Sequence, residues 1–413
     1  MVDQRRFDNQ PRWLDARAAA KRLGVDLRTL YAYVSRGRVH SMPGERGRKR
    51  LYAVDDLERL KVRSEARAGH GAVAAGALRW GEPVLDSAIT AITPDGPIYR
   101  GRPAVELAAA GVPFENVAEL LWSGYLPDGS LTWPRPAVPI AQLGKLVPAG
   151  ASPLDVMALL VPLAALADPG RGDGRPDAIV ARARMLIPRL GAALAAGASG
   201  LAAAAYTRAL GAGAIAAICA RALGADDHAV PLIDRALVLL ADHELNNSSF
   251  TARVVASTDA DPYACVAAAL ASLSGPRHGT ASERFAQLAD EIGHPDHVRA
   301  AVRAMKRRGH TPPAFGHLLY PAGDPRAAPL LYALRGSPNV RVRTMLALAE
   351  ALADIAAPTV DVALAALVAS LGAPPSAASG LFAVARAAGW IAHVIEQRAS
   401  GALLRPRARY IGV

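Results

Sequence analysis

The chain is 413 residues long, 52% apolar and only 5% aromatic, with a formal net charge of +11. That length permits two or three domains, each able to bury a core. An interior dominated by Ala and Leu excludes a mainly β architecture, so a mostly α fold is expected. The charge is concentrated: residues 1–70 hold 17 Lys and Arg against 9 Asp and Glu, which leaves +3 for all the rest. A polyanion partner is therefore expected at the N-terminal end.

MVDQRRFDNQ lacks the apolar stretch of a signal peptide, and Cys219 and Cys265 stand in Ala-rich contexts that suit buried free thiols. A cytoplasmic protein with no membrane span is expected. The longest weakly apolar run, Leu190–Thr207, is bounded by Arg189 and Arg208 and reads as a pair of core helices.

In chain order, Trp13–Leu23 carries apolar residues at near-helical spacing and stops at Gly24. Asp26 can cap a second helix in which Leu27, Leu30, Tyr31 and Val34 form the buried face and Arg28, Thr29, Tyr33 and Arg36 the opposite one. Two short helices around a glycine turn, the second with basic tips, make a helix-turn-helix. The segment Gly44–Tyr52, with Arg48, Lys49 and Arg50, reads as a hairpin wing lying on phosphates. Asp55 and Glu58 then open a third helix through Leu57 and Leu60. Over residues 1–65 this order resembles the winged helix-turn-helix unit of MerR-like and excisionase-like proteins, which implies DNA as the partner of Arg28, Thr29, Tyr33, Arg36, Arg48, Lys49 and Arg50.

Residues 66–80 read as a linker and 81–413 as a second, helical region. Helices are expected over Ala104–Ala110 and Phe114–Trp122, the latter closed by Gly124. More follow from Leu154 to Arg235, broken by the Asp/Gly/Arg/Pro loop at 168–176. No fixed-period repeat is present, so a globular multi-helix domain is expected rather than a solenoid.

Three histidines stand in glycine- or acid-flanked contexts: His243 in Asp-His-Glu, His278 in Pro-Arg-His-Gly and His317 in Phe-Gly-His. Asp361 borders the apolar run Val362–Val368, where partial desolvation can poise a carboxylate as a base. Glycines beside His278 and His317 would let a substrate come close. Taken singly, each histidine is more often a satisfied structural group, and Asp361 could be a plain helix N-cap. A metal centre is disfavoured, because the spacings lack an i, i+4 pair and His243-Glu-Leu-Asn-Asn is not HExxH. Arg326, Arg386 and Arg405 add three guanidinium groups suited to a small dicarboxylate. Arg386 is the most informative, since an arginine in so apolar a helix is costly without a carboxylate to meet.

ADHELNNSSFTARVVAS, GPRHG, FGH…DPR, PTVD, LFAVARAAGWIAHVIEQ and RPRARYIG resemble, in order and spacing, the signature segments of the citrate synthase family. The resemblance covers roughly residues 80–413. It implies large and small helical domains, the small one over about 275–385 inserted in the other. It further implies Asp361 as the base that deprotonates acetyl-CoA, His278 as donor to the thioester oxygen and His317 as the group polarising the oxaloacetate carbonyl. His243, Arg326 and Arg386 would hold the oxaloacetate carboxylates, and Arg405 would reach the neighbouring subunit of a homodimer. Acyl-CoA is then a co-substrate and no separate cofactor is needed.

The chain departs from the family pattern at Thr280 and Ser282, at Leu318 and Pro321, and at Val362–Ala365, which puts CoA affinity or acyl-chain choice in question more than the reaction. Three readings follow: condensation of acetyl-CoA with oxaloacetate to citrate, the same reaction with propionyl-CoA to 2-methylcitrate, and a DNA-binding regulator that senses these metabolites.

Overall fold

The computed structural model describes residues 13–35, 39–43, 50–54, 56–57, 85–136, 140–197, 200–308, 312–353, 355–406 and 410. By internal contacts the chain divides into two compact units, 1–86 and 87–413.

In the first unit, Trp13–Asp15 forms a short strand rather than the start of a helix. The Asp15 side chain accepts the Ala18 N–H and so caps the Ala16–Leu23 helix that follows. Gly24 closes that helix in the left-handed conformation, φ 68°, where a side chain would be strained. Asp26 accepts the Thr29 N–H at 2.7 Å and caps the Leu27–Ser35 helix, as the sequence predicts. Strands Trp13–Asp15, Arg50–Ala53 and Ser41–Pro43 pair antiparallel in that order, with the wing strands flanking residues 44–49. Ala19, Ala20, Leu30, Val39, Tyr52 and Leu57 are the core.

The buried face of the second helix differs from the expected one. Tyr31 is 50% exposed, whereas Tyr33 and Val34 pack on the core with Leu30 at i+3 and i+4. Tyr33 is thus partly a packing residue, and Tyr31 joins Arg28 and Arg50 among the exposed side chains. Arg36, Arg48, Lys49, Asp55, Glu58 and Leu60 lie outside the described residues.

The second unit is built around the Ser376–Ser400 helix. Of the described helices it alone is long and apolar enough to cross a membrane, and its apolar stretch is 94% buried within the chain. It packs against helices Phe114–Ser123, Pro153–Leu166, Pro176–Ala193, Val230–Leu240, Asn247–Ala256 and Pro262–Leu273. A second group, Ala281–Ile292, Ala327–Ala333 and Val340–Leu352, packs on Val360–Ser370. The loop at 168–176 falls between two helices, as expected. Leu190–Thr207 holds the end of the Pro176–Ala193 helix and the start of the Ala203–Leu210 helix, as expected, with the paired strands Ala196–Gly197 and Gly200–Leu201 between them. Both cysteines are buried and free.

The Asp242–Gly279 stretch is anchored at its start. The buried Tyr99 hydroxyl lies within 3.1–3.2 Å of the Val238, Leu239 and Asp242 carbonyls and accepts the Asp242 N–H at 3.3 Å. Asn246 caps the next helix by accepting the Ser248 and Ser249 N–H groups, so the polar run there is a helix start.

Candidate active site

Six separate segments deliver the side chains. His243 follows the Val230–Leu240 helix, and His278 sits in the tight turn after Pro262–Leu273. His317 lies on a loop, Arg326 immediately precedes the Ala327–Ala333 helix, Asp361 is in the first turn of Val360–Ser370, and Arg386 is mid-way along Ser376–Ser400.

His243 is buried, with its Nε2 2.9 Å from the Tyr320 hydroxyl and its ring 5.4 Å from that of His317. His317 and Tyr320 rings lie 5.0 Å apart, and the Arg326 guanidinium stands 5.4 Å from the Tyr320 ring. Arg326 makes two hydrogen bonds to Asp324, at 2.9 and 2.8 Å, and Asp324 also accepts the Val360 N–H at 2.9 Å. That last bond ties the start of the Asp361 helix to the arginine loop.

Protonation follows from burial. Desolvation, assisted by Arg326 and Arg386, holds His243 well below its ordinary range, and desolvation with Arg386 lowers His278 to about 4. His317 is lowered by burial and then Arg326. All three are neutral near pH 7. The His317 Nδ1 lies 3.2 Å from the Leu319 N–H and accepts from it, so the ring hydrogen resides on Nε2, available to a substrate oxygen. His278 Nε2 meets the Ser248 hydroxyl at 2.9 Å, and Ser248 in turn accepts from Trp390 Nε1 at 3.1 Å.

Asp361 has two hydroxyl neighbours: Ser282 reaches Oδ1 and Thr359 reaches Oδ2, each at 3.0 Å. Burial raises its pKa, while the Thr359 and Ser282 bonds and the nearby Arg326 oppose the rise. Thr359, not Asp361, caps the helix. Arg386 is 1% exposed, donates Nε–H to the Leu240 carbonyl at 2.8 Å and lies 4.7 Å from the Phe382 ring. Burial lowers it to about 10 against the pull of Asp242, so it remains a cation.

Arg405 is exposed and makes no hydrogen bond or ion pair among the described residues, so it stands apart from this cluster. Two readings of neighbours change. Adding a side chain at Gly279 would strike Leu273, so that glycine makes room for the preceding helix rather than for a ligand. Val362, Ala363, Leu364 and Ala365 are buried in the core, and Ser282 faces the base; Leu318 is 73% exposed.

The sequence reading leaves Tyr320, Asp324, Ser248, Ser282, Thr359 and the buried Asp242–His393 pair without roles. His393 Nε2 lies 3.4 Å from Asp242 Oδ1, with both side chains fully buried. A signal for that pair exists: Arg386 and His393, seven apart, share one face of an apolar helix and call for an acid opposite. Among the described residues no group of His, Cys, Asp or Glu could hold a metal ion.

A model of the citrate synthase C-terminal domain matches residues 77–407, and one of a helix-turn-helix domain matches 13–61. The chain belongs to the citrate synthase family. Citrate synthase 2 of Bacillus subtilis is 37% identical over 194 residues, covering 44% of this chain and 51% of the relative. The 2-methylcitrate synthase of Mycobacterium tuberculosis is 31% identical over 332 residues, covering 76% and 84%. The chain spans about half the length of the first curated relatives it matches. Citrate synthase from Thermotoga maritima has the same fold, with TM-score 0.66, 28% identity and coverage of 81% of this chain and 94% of that one. The Thermoplasma acidophilum citrate synthase, solved with carboxymethyl coenzyme A and oxaloacetate, gives 0.68 at 24% identity over 80% and 94%. The relatives thus include proteins named citrate synthase and 2-methylcitrate synthase.

Proposed function

We propose that residues 87–413 condense acetyl-CoA with oxaloacetate to citrate and free CoA. The observation that carries this is the convergence of a carboxylate poised above its ordinary range, neutral imidazoles and two buried guanidinium groups. Asp361 takes a proton from the thioester α-carbon, and the C–H electron pair becomes an enolate whose oxygen accepts from His278. The enolate carbon forms the new C–C bond to the ketone carbon while the ketone π electrons move onto its oxygen, which accepts a hydrogen bond from the Nε2–H of His317 and takes up a proton from water as Asp361 returns its own to solvent. His243, Arg326 and Arg386 hold the two carboxylates. Water then cleaves the citryl thioester and the CoA thiol leaves. Purified protein given oxaloacetate with acetyl-, propionyl- or butyryl-CoA is expected to release thiol fastest with acetyl-CoA. Release with none of the three overturns the reading. Faster release with propionyl-CoA makes it a 2-methylcitrate synthase, a reading favoured by the relative with the longer match.

Ser282 sharpens the assignment of the base. Its hydroxyl stabilises the ionised form of Asp361, and the base works only when ionised, so activity falls as pH drops through its pKa. Ser282→Ala, which removes a donor, is expected to move the acid limb of the kcat profile to higher pH, and Ser282→Thr to restore it. A limb that stays put would separate Asp361 from the rate.

The helix-turn-helix unit is assigned to DNA, with Arg28, Thr29, Tyr33, Arg36, Arg48, Lys49 and Arg50 as the contacting set and Tyr31 added on exposure. Neutralising Arg48, Lys49 and Arg50 together is expected to weaken binding and to flatten the log K against log salt slope by about 3. An unchanged slope removes those contacts. A regulator that binds DNA and senses the same metabolites is the reading left if thiol release fails while DNA binding holds. The exposed Arg405 suits a contact with a second copy of the chain in a homodimer, which sedimentation checks.

A further inference from the structure

A cavity of about 700 Å³ opens beside the Ala322–Asp324 loop, and neither the three site histidines nor Asp361 lines it. Its walls are mostly Ala, Pro and Leu from the Ala104–Ala109 and Ala327–Ala333 helices and the 357–358 segment. Two arginines, Arg235 and Arg335, line it. Among the described residues neither has a hydrogen-bonded acceptor or an acidic partner: the Nε of Arg235 is buried and unbonded, and Arg335 lies against the Tyr332 ring, 5.3 Å from its centroid. Asp324, the acid on the wall, is already committed to Arg326 and the Val360 N–H.

A buried donor without an acceptor destabilises the fold, more so when charged, and is tolerated where a ligand supplies what is missing. An apolar-walled concavity of this size, with a buried unbonded guanidinium nitrogen on Arg235 and the exposed Arg335 at its edge, matches an organic anion better than a neutral ligand or a bare ion. Tyr332 is 70% exposed, so its ring can also take a planar body.

We propose that this cavity is a second binding site, for a small organic anion with a phosphate or carboxylate head held by Arg235 and Arg335 and a planar or apolar body against the walls. The site would bear on the active centre through two elements. The Val230–Leu240 helix carries Arg235 and supplies the Leu240 carbonyl to Arg386, while the loop on its wall carries Asp324, the partner of Arg326.

Phenyl phosphate, phthalate and inorganic phosphate, titrated calorimetrically into the full chain, test this. Phenyl phosphate or phthalate is expected to bind with a Kd of about 1 mM, and whichever is tighter identifies the head group. Inorganic phosphate, lacking the body, is expected to bind more weakly. Arg235→Gln and the exposed Arg335→Leu are each expected to weaken binding about tenfold, and Arg386→Leu, which reaches the cavity only through the Leu240 carbonyl, to weaken it less. Failure of all three probes to bind overturns the proposal. So does binding that survives both cavity substitutions, or binding that is lost with Arg386→Leu and kept with Arg235→Gln.

Discussion

Asp361→Asn is expected to lower CoA thiol release by about 10³-fold while leaving the melting temperature at or above that of the wild type. Asn is nearly isosteric and has no basic site, so the loss falls on proton abstraction and on kcat rather than on either KM. The stability half follows from linkage. Burial raises the folded-state pKa of Asp361, so the ionised carboxylate costs folding free energy at every pH above the unfolded value, and a neutral amide removes that cost. The amide also fits its neighbours. Its oxygen can accept from Ser282, and its NH₂ can donate to Thr359, whose own hydrogen can turn to the Ala314 carbonyl, also at 3.0 Å. A variant that keeps wild-type kcat excludes Asp361 as the base. One that melts well below the wild type would mean that the carboxylate is held for structure.

Much of this was legible in the residues because the signals are local. Asp26 and Gly24 announce a cap and a stop in any context, and the structure uses both. The acid, the histidines and the arginines stand in an order that reveals the family before any coordinate is known. What stayed hidden depends on partners distant in sequence. Tyr99 supports the Asp242 turn from 143 residues away, and Ser282 reaches Asp361 across 79; neither spacing leaves a periodic trace. The Tyr31 and Tyr33 faces were exchanged for a related reason. A nine-residue helix carrying Leu, Tyr and Val on several sides has more than one plausible buried stripe, and the strand bearing Tyr52 decides which is used.

Arg386 shows what such distant partnering is worth. Arg386→Leu is expected to raise the KM for oxaloacetate about 100-fold and to destabilise the fold by about 3 kcal/mol, with a smaller change in acyl-CoA KM. The binding loss follows from its geometry: its Nε is spent on the Leu240 carbonyl, no carboxylate hydrogen-bonds it among the described residues, and Arg326 is already held by Asp324. Arg386 is therefore the cation with the most to offer an incoming carboxylate. The stability loss comes from what is left behind, namely the Leu240 carbonyl without its donor and a fully buried Asp242 that loses a guanidinium neighbour and keeps the His393 ring at 3.4 Å. Arg386→Lys keeps the charge without the planar fork and should fall between the two in KM. Steady-state kinetics in both substrates, with thermal melts of each variant, separate the two effects. An unchanged oxaloacetate KM would remove Arg386 from the substrate site, and equal rises in both KM values would mark the substitution as general damage. Asp361→Asn acting on kcat and Arg386→Leu acting on one KM would place the base and the anchor on opposite sides of the same reaction.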